Sequence, residues 1–291
     1  MIKILILGSS GILGKQIYQE LKKIDKIKLF HTGLKKKKID FTNKTDFKKF
    51  ILSINPNLII NCIAYTDVDK CENFKSISKK INYRIVKEIF ELKVKNNLKF
   101  NFIHFSTDQF YNQKGKKPSN ETSEVFLINN YCKHKRMAEL VCIKNKSLIF
   151  RTNFFGKSKS KSKSFSDWVF QAFKSKKQMY LFQDIYFNPL RIITIAKIIS
   201  LIVKKKRYNV YGLYNLAAKD ALYKNEFAIY FSKKICVYHK NYINIDSNKL
   251  LKVKRSKNMY MSVNKFEKKF QLKMPNIKSE ISNEVKNYKT L

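Results

Sequence analysis

The stretch Ile2-Lys3-Ile4-Leu5-Ile6-Leu7-Gly8-Ser9-Ser10-Gly11-Ile12-Leu13-Gly14 decides the reading of this chain. Ile2–Leu7 is a short, β-branched apolar run of the kind that forms a buried strand. It runs into glycines at positions 8, 11 and 14, three of only seven in the whole chain. Glycines so placed between a strand and a helix serve three needs: a tight turn, a close approach of backbone to a pyrophosphate, and close packing of helix on strand. The helix expected over residues 15–23 would offer free N–H groups and the positive end of its dipole to the phosphates. The stretch therefore predicts a dinucleotide-binding turn.

Moving outward, the same alternation repeats. Strands are expected over residues 28–31, 58–64, 100–106 and 147–151, and helices over 46–54, 79–95 and 130–144. Strands alternating with helices imply right-handed βαβ units and a parallel sheet covered on both faces. The fold class is α/β: a Rossmann-type doubly wound parallel sheet with a smaller, partly interleaved substrate-binding lobe. Residues 1–153 are expected to form the NAD(P)-binding domain. Beyond them the pattern changes. A Lys/Ser alternation over 157–164 reads as a solvated loop, followed by helices over 165–174, 192–203 and 225–234 and an irregular, lysine-rich final third. Residues 154–291 are expected to be mainly the substrate-binding lobe, with segments returning to the sheet.

The 291 residues suffice for a full core, and 44% hydrophobic content fits a globular protein. The formal net charge of +40 would attract nucleic acid or anionic membrane without specificity. The lysines are spread along the chain, beside plentiful Asn and Ile, and no nucleic-acid module is visible. The charge is read as compositional drift, and no specific nucleic-acid partner is expected. Cys62, Cys71, Cys132, Cys142 and Cys236 form no CxxC pair and have no His at metal spacing. They read as small buried residues in a reducing compartment, and no metal site is expected. The opening apolar run is too short for a signal peptide. The run over 192–203 is interrupted by Lys197 and is too short for a membrane span. The expectation is a cytoplasmic protein with no membrane partner.

Which dinucleotide binds depends on the end of the second strand, where a carboxylate would hold the ribose 2′-OH of NAD. Here it ends Leu29-Phe30-His31-Thr32 without a carboxylate, and lysines at 35–38 follow. NADP(H) is favoured, with NAD(H) possible. Further along, Tyr131-Cys132-Lys133-His134-Lys135 places Tyr and Lys four apart, on one face of the expected helix. A phenol has a pKa near 10 and needs a neighbouring cation to work as an acid–base group at neutral pH, which Lys135 supplies. Lys135 could also hold the nicotinamide ribose. The strand over 100–106 runs into Ser106-Thr107-Asp108, at the carboxyl edge where doubly wound sheets bind ligands. Thr107 could hydrogen-bond a substrate carbonyl while Tyr131 delivers a proton.

Together these residues resemble the dTDP-4-dehydrorhamnose reductase family of extended short-chain dehydrogenase/reductases. The matching pieces are the turn Gly8 to Gly14, the run Ile39-Asp40-Phe41-Thr42-Asn43, and Asn55 to Glu72, with its specific Ala64-Tyr65-Thr66-Asp67-Val68-Asp69-Lys70-Cys71-Glu72. To these are added His104 to Asp108, Tyr131 to Lys135 with Glu139, Arg151 to Gly156, Gly212 to Ala217, and Lys254-Arg255-Ser256. The resemblance implies NAD(P)H-dependent reduction of a 4-keto nucleotide sugar in carbohydrate precursor synthesis. It implies that Gly8, Gly11, Ile12 and Gly14 surround the pyrophosphate, Asp40 and Phe41 lie by the adenine, and Ala64 and Tyr65 run along the dinucleotide. Tyr131 and Lys135 would be the catalytic pair, holding the cofactor as well, with Thr107 their hydroxyl partner. Thr107, Asp108, Asn153 and Arg255 would meet the substrate, the guanidinium suiting a diphosphate. Two departures stand out. Gln109-Phe110-Tyr111 replaces the family's usual Tyr-Val-Phe, and Asn153-Phe154 replaces a Ser-Trp type pair. Two other readings share these motifs: a non-catalytic NADP-binding regulatory subunit, and a nucleotide-sugar epimerase or dehydratase. A homodimer is possible.

Overall fold

β1 (Ile2–Leu7) buries Ile4, Leu5, Ile6 and Leu7 completely, so both faces of the strand are covered. In the computed structural model, which describes residues 1–32, 43–160 and 162–289, it is the hub of a large sheet. It is followed by α1 (Ile12–Leu21), β2 (Ile27–His31), α2 (Lys44–Ile54), β3 (Leu58–Asn61), α3 (Val68–Asn73), α4 (Lys75–Lys79) and α5 (Ile85–Lys95). Then come β4 (Asn101–Thr107), α6 (Asn130–Lys144), β5 (Leu148–Thr152), α7 (Ile192–Lys204) and β6 (Gly212–Leu216). The strand order is β6-β5-β4-β3-β1-β2. β1 pairs parallel with both β2 and β3, and β3 with β4. The chain therefore leaves β1 toward β2 and returns on the other side at β3. That reversal between β1 and β3 is where open α/β sheets bind ligands.

The core under the sheet joins Leu5, Leu7, Ile59, Phe102 and Ile149 to Phe47 and Ile51 of α2, Ile89 and Phe90 of α5, and Ala138 of α6. Local chemistry sets the ends of these helices. Asn43 caps α2 by accepting the Thr45 and Asp46 N–H groups, and the helix stops at Asn55 in a left-handed conformation, φ 46°. Asn tolerates that conformation, and Pro56 could not have continued the helix.

Two compact units divide the chain, each built from three segments. One comprises Met1–Ser106, Asn129–Phe150 and Ile193–Leu213; the other Thr107–Ile128, Arg151–Ile192 and Tyr214–Leu291. The second unit is thus interleaved with the sheet-bearing one along the sequence. Its centre is aromatic: Phe155, Phe165, Phe187 and Phe231 gather around Phe227, all four rings within 6.0 Å of it, centroid to centroid. The helix Phe165–Lys174 is started by a reciprocal Ser164–Asp167 capping box. The C-terminal helix Ile277–Lys289 buries two carboxylates. Glu284 accepts from the Arg191 and Lys157 side of the unit, and Glu280 from the Arg191 N–H.

Three expectations are corrected. β3 stops at Asn61 instead of running to 64, because the Asn61 side chain turns to accept the Ile63 N–H. The helix expected over 79–95 contains a π-helical turn, Lys80–Arg84, before α5. The final third is not irregular throughout, since helices Asn264–Phe270 and Ile277–Lys289 lie within it. Cys71, Cys132 and Cys142 are buried as expected, whereas Cys236 is exposed. Asp40, Phe41 and the lysines at 35–38 lie outside the described residues. Among those described, no helix is long and apolar enough to cross a membrane.

Candidate active site

The glycine turn forms as its spacing requires. Gly8 has φ +76°, a conformation that L side chains rarely adopt, and its carbonyl accepts the Gly11 N–H at 3.0 Å. A Cβ on Gly8 would press on the Cys62 and Ile63 backbone, at 2.9 to 3.0 Å. A Cβ on Gly14 would be driven into the Gly8 carbonyl. One on Gly11 meets only that carbonyl oxygen, at 3.3 Å. Gly8 and Gly14 are therefore fixed by the protein itself, whereas Gly11 keeps clear the start of α1, and Ile12 opens that helix half-buried. Thr32, at the end of β2, takes the turn in hand: its hydroxyl accepts the Gly8 N–H at 3.2 Å and its carbonyl the Ser9 hydroxyl at 2.6 Å. No carboxylate stands at that position.

Beyond β3, Ala64 is exposed and Tyr65 half-buried. The Tyr65 backbone is gripped on both sides by Asn82, which accepts its N–H at 2.8 Å and donates to its carbonyl at 3.0 Å. Asn82 belongs to the π-helical turn, and π-bulges recur at functional sites. It also reaches the Ser78 hydroxyl at 3.3 Å, which pairs with His134 Nδ1 at 2.8 Å. His134 lies on α6, between Tyr131 and Lys135. A continuous hydrogen-bonded chain thus links the Ala64–Tyr65 segment to that helix.

α6 itself is anchored at its start. The Asn129 side chain accepts the Cys132 N–H at 2.9 Å, and Glu72 accepts the Asn130 N–H at 2.6 Å. Tyr131 and Lys135 are both buried, at 6% and 2% exposure. Lys135 Nζ donates to the Phe105 carbonyl of β4 at 2.6 Å, which fixes the ammonium at the residue before Ser106. Burial pulls the lysine down to about 8, with the Glu139 carboxylate and neighbouring thiols pulling the other way. Glu139, wholly buried, accepts the Ser106 hydroxyl at 2.7 Å and pairs with Arg136.

The second unit carries the rest. Thr107 donates to Asp108 Oδ1 at 3.3 Å, and Asn153 Nδ2 to Asp108 Oδ2 at 2.7 Å. Burial pushes the Asp108 carboxyl up to about 6, against the Asn153 hydrogen bond and the charge of Lys224. Arg255 is held by the Val253 carbonyl at 2.7 Å and lines a cavity of about 470 Å³ with Lys252, Lys254 and Lys257.

Among the residues singled out by sequence, the structure gathers Gly8, Gly11 and Gly14 in one turn, Tyr131 and Lys135 on one helix, and Thr107, Asp108 and Asn153 in one hydrogen-bonded set. The charge of Arg255 acts on Lys224, which in turn acts on Asp108. Sequence reading missed Asn82, Ser78, His134 and Lys224. The first three are ordinary polar residues in a helical stretch, and Lys224 is hidden among abundant lysines.

A family model described as the RmlD substrate binding domain matches residues 2–290. The dTDP-4-dehydrorhamnose reductase of Escherichia coli K12 is 26% identical over 287 residues, covering 94% of this chain and 93% of that protein. Among solved structures, a dTDP-4-dehydrorhamnose reductase from Clostridium acetobutylicum superposes with a TM-score of 0.87 at 23% identity, covering 99% of each chain. Another, from Bacillus anthracis and in complex with NADP, superposes with a TM-score of 0.85 at 20% identity, again over 99% of each. The structural likenesses speak to the fold, and the match from residue 2 to residue 290 speaks to descent: the chain belongs to the RmlD substrate binding domain family.

Proposed function

We propose that this protein is an oxidoreductase that uses NADPH in preference to NADH to reduce a 4-keto nucleotide sugar, in the manner of the dTDP-4-dehydrorhamnose reductases it is similar to, and so serves carbohydrate precursor synthesis. One observation carries the reading: Tyr131 and Lys135 are buried one turn apart on α6, with the Lys135 ammonium fixed on the Phe105 carbonyl at 2.6 Å. Two surface residues of an amphipathic helix would not be so placed. The residues present fit a dinucleotide, because the turn leaves Gly11 open and ends β2 on a hydroxyl instead of a carboxylate. A relative of the same fold binds NADP. In this reading residues 1–153 carry the dinucleotide and catalytic pair, and residues 154–291 mainly the substrate.

A hydride for the keto carbon is what the bound cofactor supplies. Tyr131 Oη passes its proton to the carbonyl oxygen as the C=O bond becomes C–O, so that no alkoxide accumulates. Thr107 is the hydroxyl partner of that oxygen, and Asp108 with Asn153 orients Thr107 and meets the sugar. Lys135 favours the phenolate left on Tyr131, which then recovers a proton from solvent.

Stoichiometric oxidation of NADPH on adding a 4-keto nucleotide sugar tests the proposal. Retained NADPH binding without turnover on a panel of such sugars would overturn it in favour of a regulatory subunit. Cofactor that stays bound through the cycle, with no stoichiometric release of its oxidised form, would point to an epimerase or dehydratase. Tyr131→Phe is expected to lower kcat by roughly 10²- to 10⁴-fold with an unchanged NADPH Kd; near-normal turnover would refute the proton-donor role.

A further inference from the structure

Lys224 is a titratable group that the mechanism above leaves unused. It opens the helix Lys224–Lys234, its N–H donating to the Ile185 carbonyl at 2.9 Å. Its ammonium stands over two rings of the aromatic core, 5.4 Å from Phe165 and 5.8 Å from Phe187. That packing shields one side of the half-buried side chain and fixes the place of the cation. Among the described residues Lys224 makes no ion pair and no side-chain hydrogen bond, so three donors remain to be used.

Its electrostatic neighbours say where those donors can go. Asp108 acts on it most strongly of its charged neighbours, then Arg255, then Asp184. Among the described residues neither carboxylate forms an ion pair with it, and each is held by other partners. Both Asp108 oxygens are engaged, by Thr107 and Asn153, and Asp184 holds the Ser247 hydroxyl at 2.9 Å and Lys257 at 3.1 Å. Arg255, Lys257 and Ser247 line the basic cavity. Lys224 is thus within electrostatic reach of Asp108, next to Thr107, and of Arg255 in the cavity wall, and its N–H is held on Ile185, whose neighbour Asp184 bonds Ser247 and Lys257 of that wall. In a nucleotide sugar, the group between the sugar ring and the nucleoside is the diphosphate, and its sugar-side phosphate adjoins the ring.

We infer that Lys224 is a substrate-binding residue whose ammonium takes the sugar-side phosphate of the nucleotide sugar, while Arg255 serves the diphosphate from the cavity side. The inference rests on the nucleotide-sugar reading given above. Burial holds the Lys224 ammonium down to about 8 in the free protein, with the Arg255 charge adding to the effect. An arriving phosphate relieves that repulsion, and its affinity falls as pH rises through that value.

Lys224→Met preserves the packing against Phe165 and Phe187 while removing the charge. Titration calorimetry with dTDP and with dTMP, alongside NADPH as a monitor of the fold, provides the test. The expected result is at least a tenfold loss of dTDP affinity, with dTMP and NADPH affinities unchanged and most of the dTDP loss recovered in Lys224→Arg. In the wild type, dTDP affinity drops between pH 7 and 9 more steeply than in Lys224→Met. Equal losses for dTDP and dTMP, no loss for either, or a parallel loss of NADPH binding would each overturn the assignment. Wild-type protein that binds neither nucleotide would overturn the nucleotide-sugar reading as well; wild-type binding unaltered by Lys224→Met overturns this assignment alone.

Discussion

A Cβ added at Gly14 would be driven into the Gly8 carbonyl, whereas one at Gly11 meets only that oxygen, at 3.3 Å. Of these two glycines of one turn, Gly14 is thus required by the protein itself, whereas the space at Gly11 is what the proposed dinucleotide would use. Gly14→Ala is expected to cost about 1–3 kcal/mol or more of stability by overpacking, read by urea unfolding. Gly11→Ala should unfold within about 1 kcal/mol of the wild type and yet lose NADPH affinity tenfold or more; intact affinity would contradict the pyrophosphate assignment. Lys135 makes a second case at this scale. Burial lowers it to about 8 from 10.5. Below pH 8 both folded and unfolded chains hold the proton, and the cost of burying the charge, about 3 kcal/mol, is fully present. Between 8 and 10.5 the folded chain releases a proton that the unfolded chain keeps, so the lysine's contribution to stability rises with pH. The stability of Lys135→Met relative to wild type should therefore fall by about 3 kcal/mol from pH 7 to 10.5. A difference that does not change over that interval would contradict the buried charge. The glycines and the Tyr–Lys pair were legible because their spacing carries geometry. Lys224 was not, because one lysine among so many carries none.

The element that joins the Ala64–Tyr65 segment to the helix bearing Tyr131 and Lys135 is the π-helical turn Lys80–Arg84. It brings Asn82, 1% exposed, against the Tyr65 backbone. Asn82→Ala would leave the Tyr65 N–H without this acceptor, at a cost of about 1–3 kcal/mol. A weaker NADPH affinity should accompany the loss, with kcat at saturating NADPH changed less; a fall in kcat alone would show that Asn82 acts on the chemistry instead. Helical periodicity gave no sign of this turn, since one extra residue in a turn leaves the apolar pattern on either side intact. Where apolar spacing was regular the elements were readable to the residue, as for α6 and Phe165–Lys174. The C-terminal helix was not, although Ile277, Ile281, Val285 and Tyr288 all turn inward. Its buried face also holds Glu280 and Glu284, which read as solvent-facing until Arg191 and Lys157 are seen beside them.

Over the whole molecule, 61 basic side chains face 21 acidic ones. Self-repulsion of that size disfavours the compact state, and salt screens it, the Debye length shrinking from about 30 Å at 0.01 M to about 3 Å at 1 M. Melting temperature should rise by a few degrees between low salt and 0.5 M sodium chloride. A flat or falling response would mean that the surface charges are already compensated. The parallel sheet and its glycine turn were legible from strand and helix alternation, which is a local property. The division into two units was legible only in outline, because the sequence does not mark where the chain changes sides. Those crossings set an order of events during synthesis. Ile193–Leu213 is the last segment of the sheet-bearing unit, and Tyr214–Leu291 completes the other. A ribosome that has made the glycine turn, the Tyr–Lys helix and five of the six strands has therefore finished neither unit. The emerging chain must wait for its last third, and a premature stop codon before Leu213 would deprive both units of a part.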